Sequence, residues 1–251
     1  MKLSKIRLPL AVAFLGAAAC ILRFCLYLLG TDEKGLLISG HPLEICLCVV
    51  TAAAAALIIL RTRKQTGSCS YADNFPASVL SAAGCLLLAA GICLSVMANR
   101  IVFLPLERIR NLIGLLCLPA LVFVAVCRRK GRRPGFAAHA VVCLYLALYT
   151  TSFYSQWSRH PQLQDSFFPM MGCIFLALFA YYQTAFDADM GSRRMQLATG
   201  LSAVFCCIAA TVRSGAAIPL YLTGALWALT NLCTLTPPNP EISETEKEEL
   251  Q

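Results

Sequence analysis

The chain predicts an all-α integral membrane protein, a bundle of about eight transmembrane helices, on three observations. Its mean hydropathy is +0.69, and only 14% of its 251 residues are charged, against about 25% in a typical soluble domain. Its apolar residues gather into eight stretches, each close to the ~20 residues that cross a ~30 Å hydrocarbon core. Nearly every charge lies between those stretches. No intervening segment is long enough to bury a core of its own, so residues 1–238 read as one membrane domain and residues 239–251 as an acidic cytoplasmic tail.

The spans fall at about 8–29, 43–60, 77–98, 112–127, 136–153, 167–186, 196–212 and 215–235. The first follows Lys2, Lys5 and Arg7 and contains Ala17-Ala18-Ala19-Cys20, which imitates a signal peptide with a lipoprotein-type cleavage site. Its apolar run continues to Leu29, so an uncleaved span is expected. A polar turn, Gly30 to Gly35, makes the first two helices antiparallel. Pro42 suits the first turn of the second helix, where its missing N–H would be unpaired anyway. The third span holds Ser78, Ser81, Gly84, Ala89, Ala90 and Gly91, small residues that let backbones approach, and is expected to be a central packing helix.

Residues 99–111 mix Arg100, Glu107, Arg108 and Arg110 with Ile101, Val102, Phe103, Leu104 and Leu106, the composition of a segment lying at the membrane interface. Pro119 falls near the middle of the fourth span, where it removes a backbone hydrogen bond and marks a kink or a hinge. Arg128-Arg129-Lys130-Gly131-Arg132-Arg133-Pro134 is the most basic loop. Asp187-Ala188-Asp189 faces Arg193-Arg194 across a short turn and reads as a self-satisfied charge pair, with no phosphate-cradling loop beside it. Pro237-Pro238-Asn239-Pro240 ends the last span, and Glu241, Glu244, Glu246, Glu248 and Glu249 follow.

Orientation follows from the distribution of Lys and Arg. With the N-terminus inside, the inner segments carry Lys2, Lys5, Arg7, Arg61, Arg63, Lys64, Arg128, Arg129, Lys130, Arg132, Arg133, Arg193, Arg194 and Lys247. The outer ones carry Lys34, Arg100, Arg108, Arg110, Arg159 and Arg213. The excess of basic residues inside puts both termini in the cytoplasm. The net charge of +8 is then a topology signal, with anionic lipid head groups as partners of the Arg128–Arg133 loop and no nucleic acid implied. The fourteen cysteines lie mostly inside apolar runs and read as small hydrophobes. No C-x-x-C pair occurs, so no metal or cofactor is expected. No serine or cysteine has an adjacent histidine, and no catalytic residue is assigned.

Charge inside lipid is the remaining functional signal. Arg23 lies about 9 Å from the outer end of the first span, and Glu44 lies in the first turn of the second. The two either pair or, with His41, line an outward vestibule. Arg159, His160 and Asp165, in the polar segment from Tyr154 to Asp165, extend that candidate ligand-binding face. The span middles carry little beyond Thr51, Tyr145 and Thr223, while His139, Gln183 and Asn231 lie towards inner ends.

Arg23 to Pro42, Trp157 to Asp165, Phe186 to Arg194 and Trp227-Ala228-Leu229-Thr230-Asn231-Leu232-Cys233 resemble a group of uncharacterised multi-pass membrane proteins of anaerobic Gram-positive bacteria. The resemblance runs the length of the chain and implies a bacterial plasma membrane, with no activity attached. Two functions fit the sequence. One is a small-molecule or ion permease, or a membrane subunit of one. The other is a non-transporting sensor or scaffold that binds a membrane or cytoplasmic protein partner.

Overall fold

In the computed structural model, residues 7–31, 37–38, 40–63, 65, 71–98, 105–157, 163–212 and 214–236 are described. They form eight helices: α1 (Arg7–Leu29), α2 (Pro42–Thr62), α3 (Phe75–Ala98), α4 (Pro105–Arg129), α5 (Phe136–Trp157), α6 (Leu163–Asp187), α7 (Arg193–Ala210) and α8 (Ile218–Thr234). A 3₁₀ turn, Gly215–Ala217, leads into α8. Among the described residues no strand forms, only two isolated bridges, Thr31 with Leu37 and Tyr71 with Leu235.

Seven of the helices are long and apolar enough to cross a membrane, which makes the chain a multi-pass membrane protein. α7 is not among the seven, because Arg193, Arg194 and Gln196 occupy its first turn. Its surroundings explain why it tolerates them. α7 packs against α1, α2, α6 and α8, and most of its residues are buried, so protein rather than lipid surrounds it. The expectation of a central third span is therefore corrected. α3 packs mainly on α4 and α8 and leaves Ala82, Ala83 and Ala90 exposed. Its Gly84 and Gly91 pack closely against Thr223 and Pro219 of α8, and Ser78 and Ser81 are buried.

The helix ends follow local rules. Asn74 caps α3 by accepting the Ala77 N–H at 3.2 Å. α4 ends at Gly131, whose φ of +61° lets the Arg132 N–H reach back to the Cys127 carbonyl at 2.9 Å, a Schellman closure. A β-carbon at Gly131 would also lie 3.2 Å from the Tyr71 carbonyl oxygen. α6 ends in the same way on Asp189, at φ +59°, with the Met190 N–H on the Ala185 carbonyl. Both closures occur at the basic end of the bundle, and they set Arg128 and Asp187 in the last turns of their helices.

α4 starts at Pro105, not near residue 112, so residues 105–111 are helix rather than an interfacial connection; residues 99–104 lie outside the described set. The reason is Arg110. It is buried and donates from Nη1 to Ser152 Oγ of α5 and from Nη2 to Ser95 Oγ of α3, both at 3.2 Å. A charge satisfied across three helices does not mark a helix boundary. α4 continues unbroken through Pro119, which is exposed.

Gly200 on α7 lets α6 and α8 close on the central helix, since a β-carbon there would lie 2.7 Å from the Phe179 ring and 3.1 Å from Leu232. Gly200→Val is expected to destabilise the bundle by about 1–3 kcal/mol, read as a lowered thermal unfolding midpoint in detergent. Ala83→Val, on an exposed face of α3, should leave the midpoint unchanged.

Candidate functional site

The outer residues singled out in the sequence serve helix ends. His41 is the N-cap of α2 and accepts the Leu43 N–H on Nδ1 at 3.3 Å. Glu44, three residues on, accepts the Gly40 N–H at 2.9 Å, so the pair works as a variant of the capping box. Arg23 is buried. Its Nη1 donates to the Ala209 carbonyl at 2.5 Å and its Nη2 to Tyr27 Oη at 3.2 Å, with the guanidinium 5.1 Å from the Phe168 ring centroid. A cation on one of the last carbonyls of α7 complements the helix dipole. The described contacts of Arg23 do not include Glu44. Arg159 and His160 lie outside the described residues, and Asp165 falls in the first turn of α6.

The larger concentration of buried polar groups lies at the other end, which the helix termini of α3 to α8 and the basic loop share. Arg128 is 2% exposed. Its guanidinium stacks 3.3 Å from the Tyr71 ring centroid, Nε donates to Asn231 Oδ1 at 2.8 Å, and Nη1 donates to the Arg132 carbonyl at 3.2 Å. A desolvated cation–π contact of this kind contributes about 2 kcal/mol. Tyr71 is fixed in turn. Its hydroxyl donates to Gln183 Oε1 at 2.8 Å and accepts from Gln196 Nε2 at 3.2 Å, and the Ala72 N–H bonds the Thr234 carbonyl at 2.8 Å. The segment before α3 is thereby pinned over the ends of α4, α6, α7 and α8.

Beneath it, His139 Nε2 stands 3.2 Å from Asp187 Oδ2, and both side chains are fully buried. The His139 ring packs 5.9 Å from that of Trp227. Asp187 therefore does not join Arg193 and Arg194 in a self-contained turn, which corrects that reading. Arg193 bonds the Thr236 carbonyl, and Asp189 pairs with Arg133. The turn is too short to fold its charges back on itself, and neighbouring helix ends lie closer. The Asp189 bond holds the exposed Arg133 guanidinium above its ordinary pKa. Arg128 is also taken out of the surface loop, which leaves Arg129, Lys130, Arg132 and the Asp189-paired Arg133 as its exposed cations.

Trp227 also lines a cavity of about 20 Å³ in the middle of the bundle, with Leu88, Cys117, Leu121, Tyr145, Leu176 and Thr223 around it. That volume holds about one water molecule, and apolar walls favour a dry space. Thr223 is already committed, to the Gly84 and Pro219 carbonyls. Among the described residues no group of three or more His, Cys, Asp or Glu is arranged to hold a metal. The thirteen described cysteines are free thiols.

Tyr71→Phe keeps the ring over Arg128 and removes both hydroxyl bonds, and is expected to destabilise the protein by about 1–3 kcal/mol. Arg128→Lys should cost more, because an ammonium cannot stack flat while donating sideways to Asn231. Thermal unfolding of the two variants in one detergent checks the order. Compared with known families, curated proteins and solved structures, the chain matches none.

Proposed function

We propose that the chain is an eight-pass protein of a bacterial plasma membrane, with both termini in the cytoplasm, that acts as a non-transporting sensor or scaffold. The eighth pass is α7, whose 18 residues extend about 27 Å. The excess of basic residues at the Arg128 end supports assigning that end to the cytoplasm. The observation that carries the functional reading is the use made of Arg23, His41 and Glu44. A permease opening outward needs such groups in a vestibule, whereas here Arg23 secures the end of α7 and the other two cap α2.

The docking surface in this reading is the basic rim of exposed Arg61, Arg63, Arg129, Lys130, Arg132 and Arg194. Its partners are anionic lipid head groups and an acidic cytoplasmic protein. A permease is the second reading, and the mid-bundle cavity beside Trp227 favours it, because a closed conformation of a carrier also encloses a small space near the membrane centre.

Thiol labelling separates the two. Cys20 lies against Thr211 at 3.4 Å, one helical turn from Arg23. In intact cells a water-soluble thiol reagent is expected to leave Cys20 and Cys25 unmodified; modification from outside would sink the scaffold reading in favour of the permease. Reversing Arg129, Lys130 and Arg132 to Glu is expected to release the purified chain's soluble partner and to leave its thermal midpoint unchanged.

A further inference from the structure

Five residues at the basic end share a property the packing leaves unexplained. Arg128 Nη2, both ring nitrogens of His139, Gln183 Nε2, both carboxylate oxygens of Asp187 and Trp227 Nε1 are buried without a hydrogen-bond partner. Other atoms of the same side chains are satisfied, Arg128 Nε by Asn231 and Gln183 Oε1 by Tyr71. An orphaned buried polar group costs about 1–3 kcal/mol, so leaving all of these unpaired is out of proportion to the stability of a domain.

The orphans are complementary in kind. Arg128, Gln183 and Trp227 offer N–H donors, Asp187 is an acceptor when ionised, and His139 is able to serve as either. They come from α4, α5, α6 and α8, and His139 Nε2 stands 3.2 Å from Asp187 Oδ2 without the alignment of a hydrogen bond. A single water molecule is able to accept from a donor on one helix and donate to a carboxylate on the next, which satisfies groups of this kind without direct contact. Asp187 is the last residue of α6, two residues before the exposed Asp189, so the route from this layer to the aqueous phase is short.

We infer that the layer between Arg128, His139, Gln183, Asp187 and Trp227 is a hydrated proton-binding site, with His139 and Asp187 as the exchanging groups. Hydronium at the basic end is the source. A proton passes along the bridging water to a carboxylate oxygen of Asp187 or to a ring nitrogen of His139, and it leaves by the same route, with no other bond made or broken. The remaining groups set the electrostatics. Arg128 of α4 is the fixed charge inside the layer, with Tyr71 from the segment before α3 stacked on it. Cys127 of α4 lies beside it, and the Arg133–Asp189 pair sits at the outer edge. From the other neighbours, α7 presents Arg193, held by Thr236, and neutral Gln196, and α8 presents neutral Asn231. The site goes beyond the scaffold reading and does not depend on it.

Infrared difference spectroscopy on the full chain in lipid nanodiscs, stepped between pH of about 5 and 9 where groups of this kind titrate, tests the site. The expected result is a buried-carboxyl band that changes with pH and vanishes in Asp187→Asn. In Asp187→Glu the band should shift in frequency, which covers the case in which the amide variant does not fold. In His139→Gln its midpoint should move by about one pH unit or more, accompanied by loss of a sharp water O–H signal. No pH-dependent carboxyl band, a band unaffected by both Asp187 variants, or a midpoint indifferent to His139→Gln would overturn the inference. None of these outcomes bears on partner binding at the basic rim, so the two proposals fail separately.

Discussion

A guanidinium removed from both water and lipid has to be satisfied by its own protein, and Arg128 imposes that demand on the whole basic end of the bundle. Most of the demand is met by Tyr71 above, Asn231 beside and the Arg132 carbonyl behind, which serve the guanidinium face, Nε and Nη1 and leave Nη2 over. Each of these needs its own support. Tyr71 is oriented by Gln183 and Gln196, and Asn231 by the Trp227 carbonyl it donates to at 2.8 Å. Gly131 is needed both to close α4 and to give Tyr71 room. Four helices and one connection are thus set in register by a single charge.

The other end repeats the principle with different residues. Arg23 lies on the last carbonyls of α7, and Arg110 bridges α3 and α5 through serines. Arg23, Arg110 and Arg128, buried near the two ends of the bundle, hold helices whose apolar faces have little preference for one another over lipid. Between them the middle is packed by small residues and aromatic edges, such as Gly200 beneath Phe179 and Phe179 edge-on to Trp227 at 5.0 Å.

Much of the fold was legible because lipid leaves few options. Apolar runs of sufficient length become helices, and Pro42 marked the start of α2 to within a residue. The limits of α4 were not legible, because Arg110 looked like interface chemistry until its partners on α3 and α5 were known. The polar layer was missed for a related reason. Arg128 read as a topology charge, Tyr71 falls in the stretch between the second and third spans, and His139, Gln183 and Asn231 read as isolated polar residues. Arg128 and Asn231 are separated by 103 residues and Tyr71 and Gln196 by 125, so no local pattern joins them. A signal did exist: these polar residues sit at similar depth from the same ends of different spans, and comparing depths across helices would have drawn the layer.

The bond between Arg128 and Asn231 has a further consequence for how the molecule is made. α8 leaves the ribosome well after α4, and Asn231 lies near its end. Until it arrives, the guanidinium at the end of α4 lacks its side-chain acceptor and stays hydrated at the membrane surface. Tyr71, tied to the exit of α8 through Ala72 and Thr234, lacks part of its anchorage for the same interval. Burial of Arg128 therefore reports that α8 is in place: a chain cut short before α8 keeps a wet, unsealed end, the kind of defect that membrane proteases recognise.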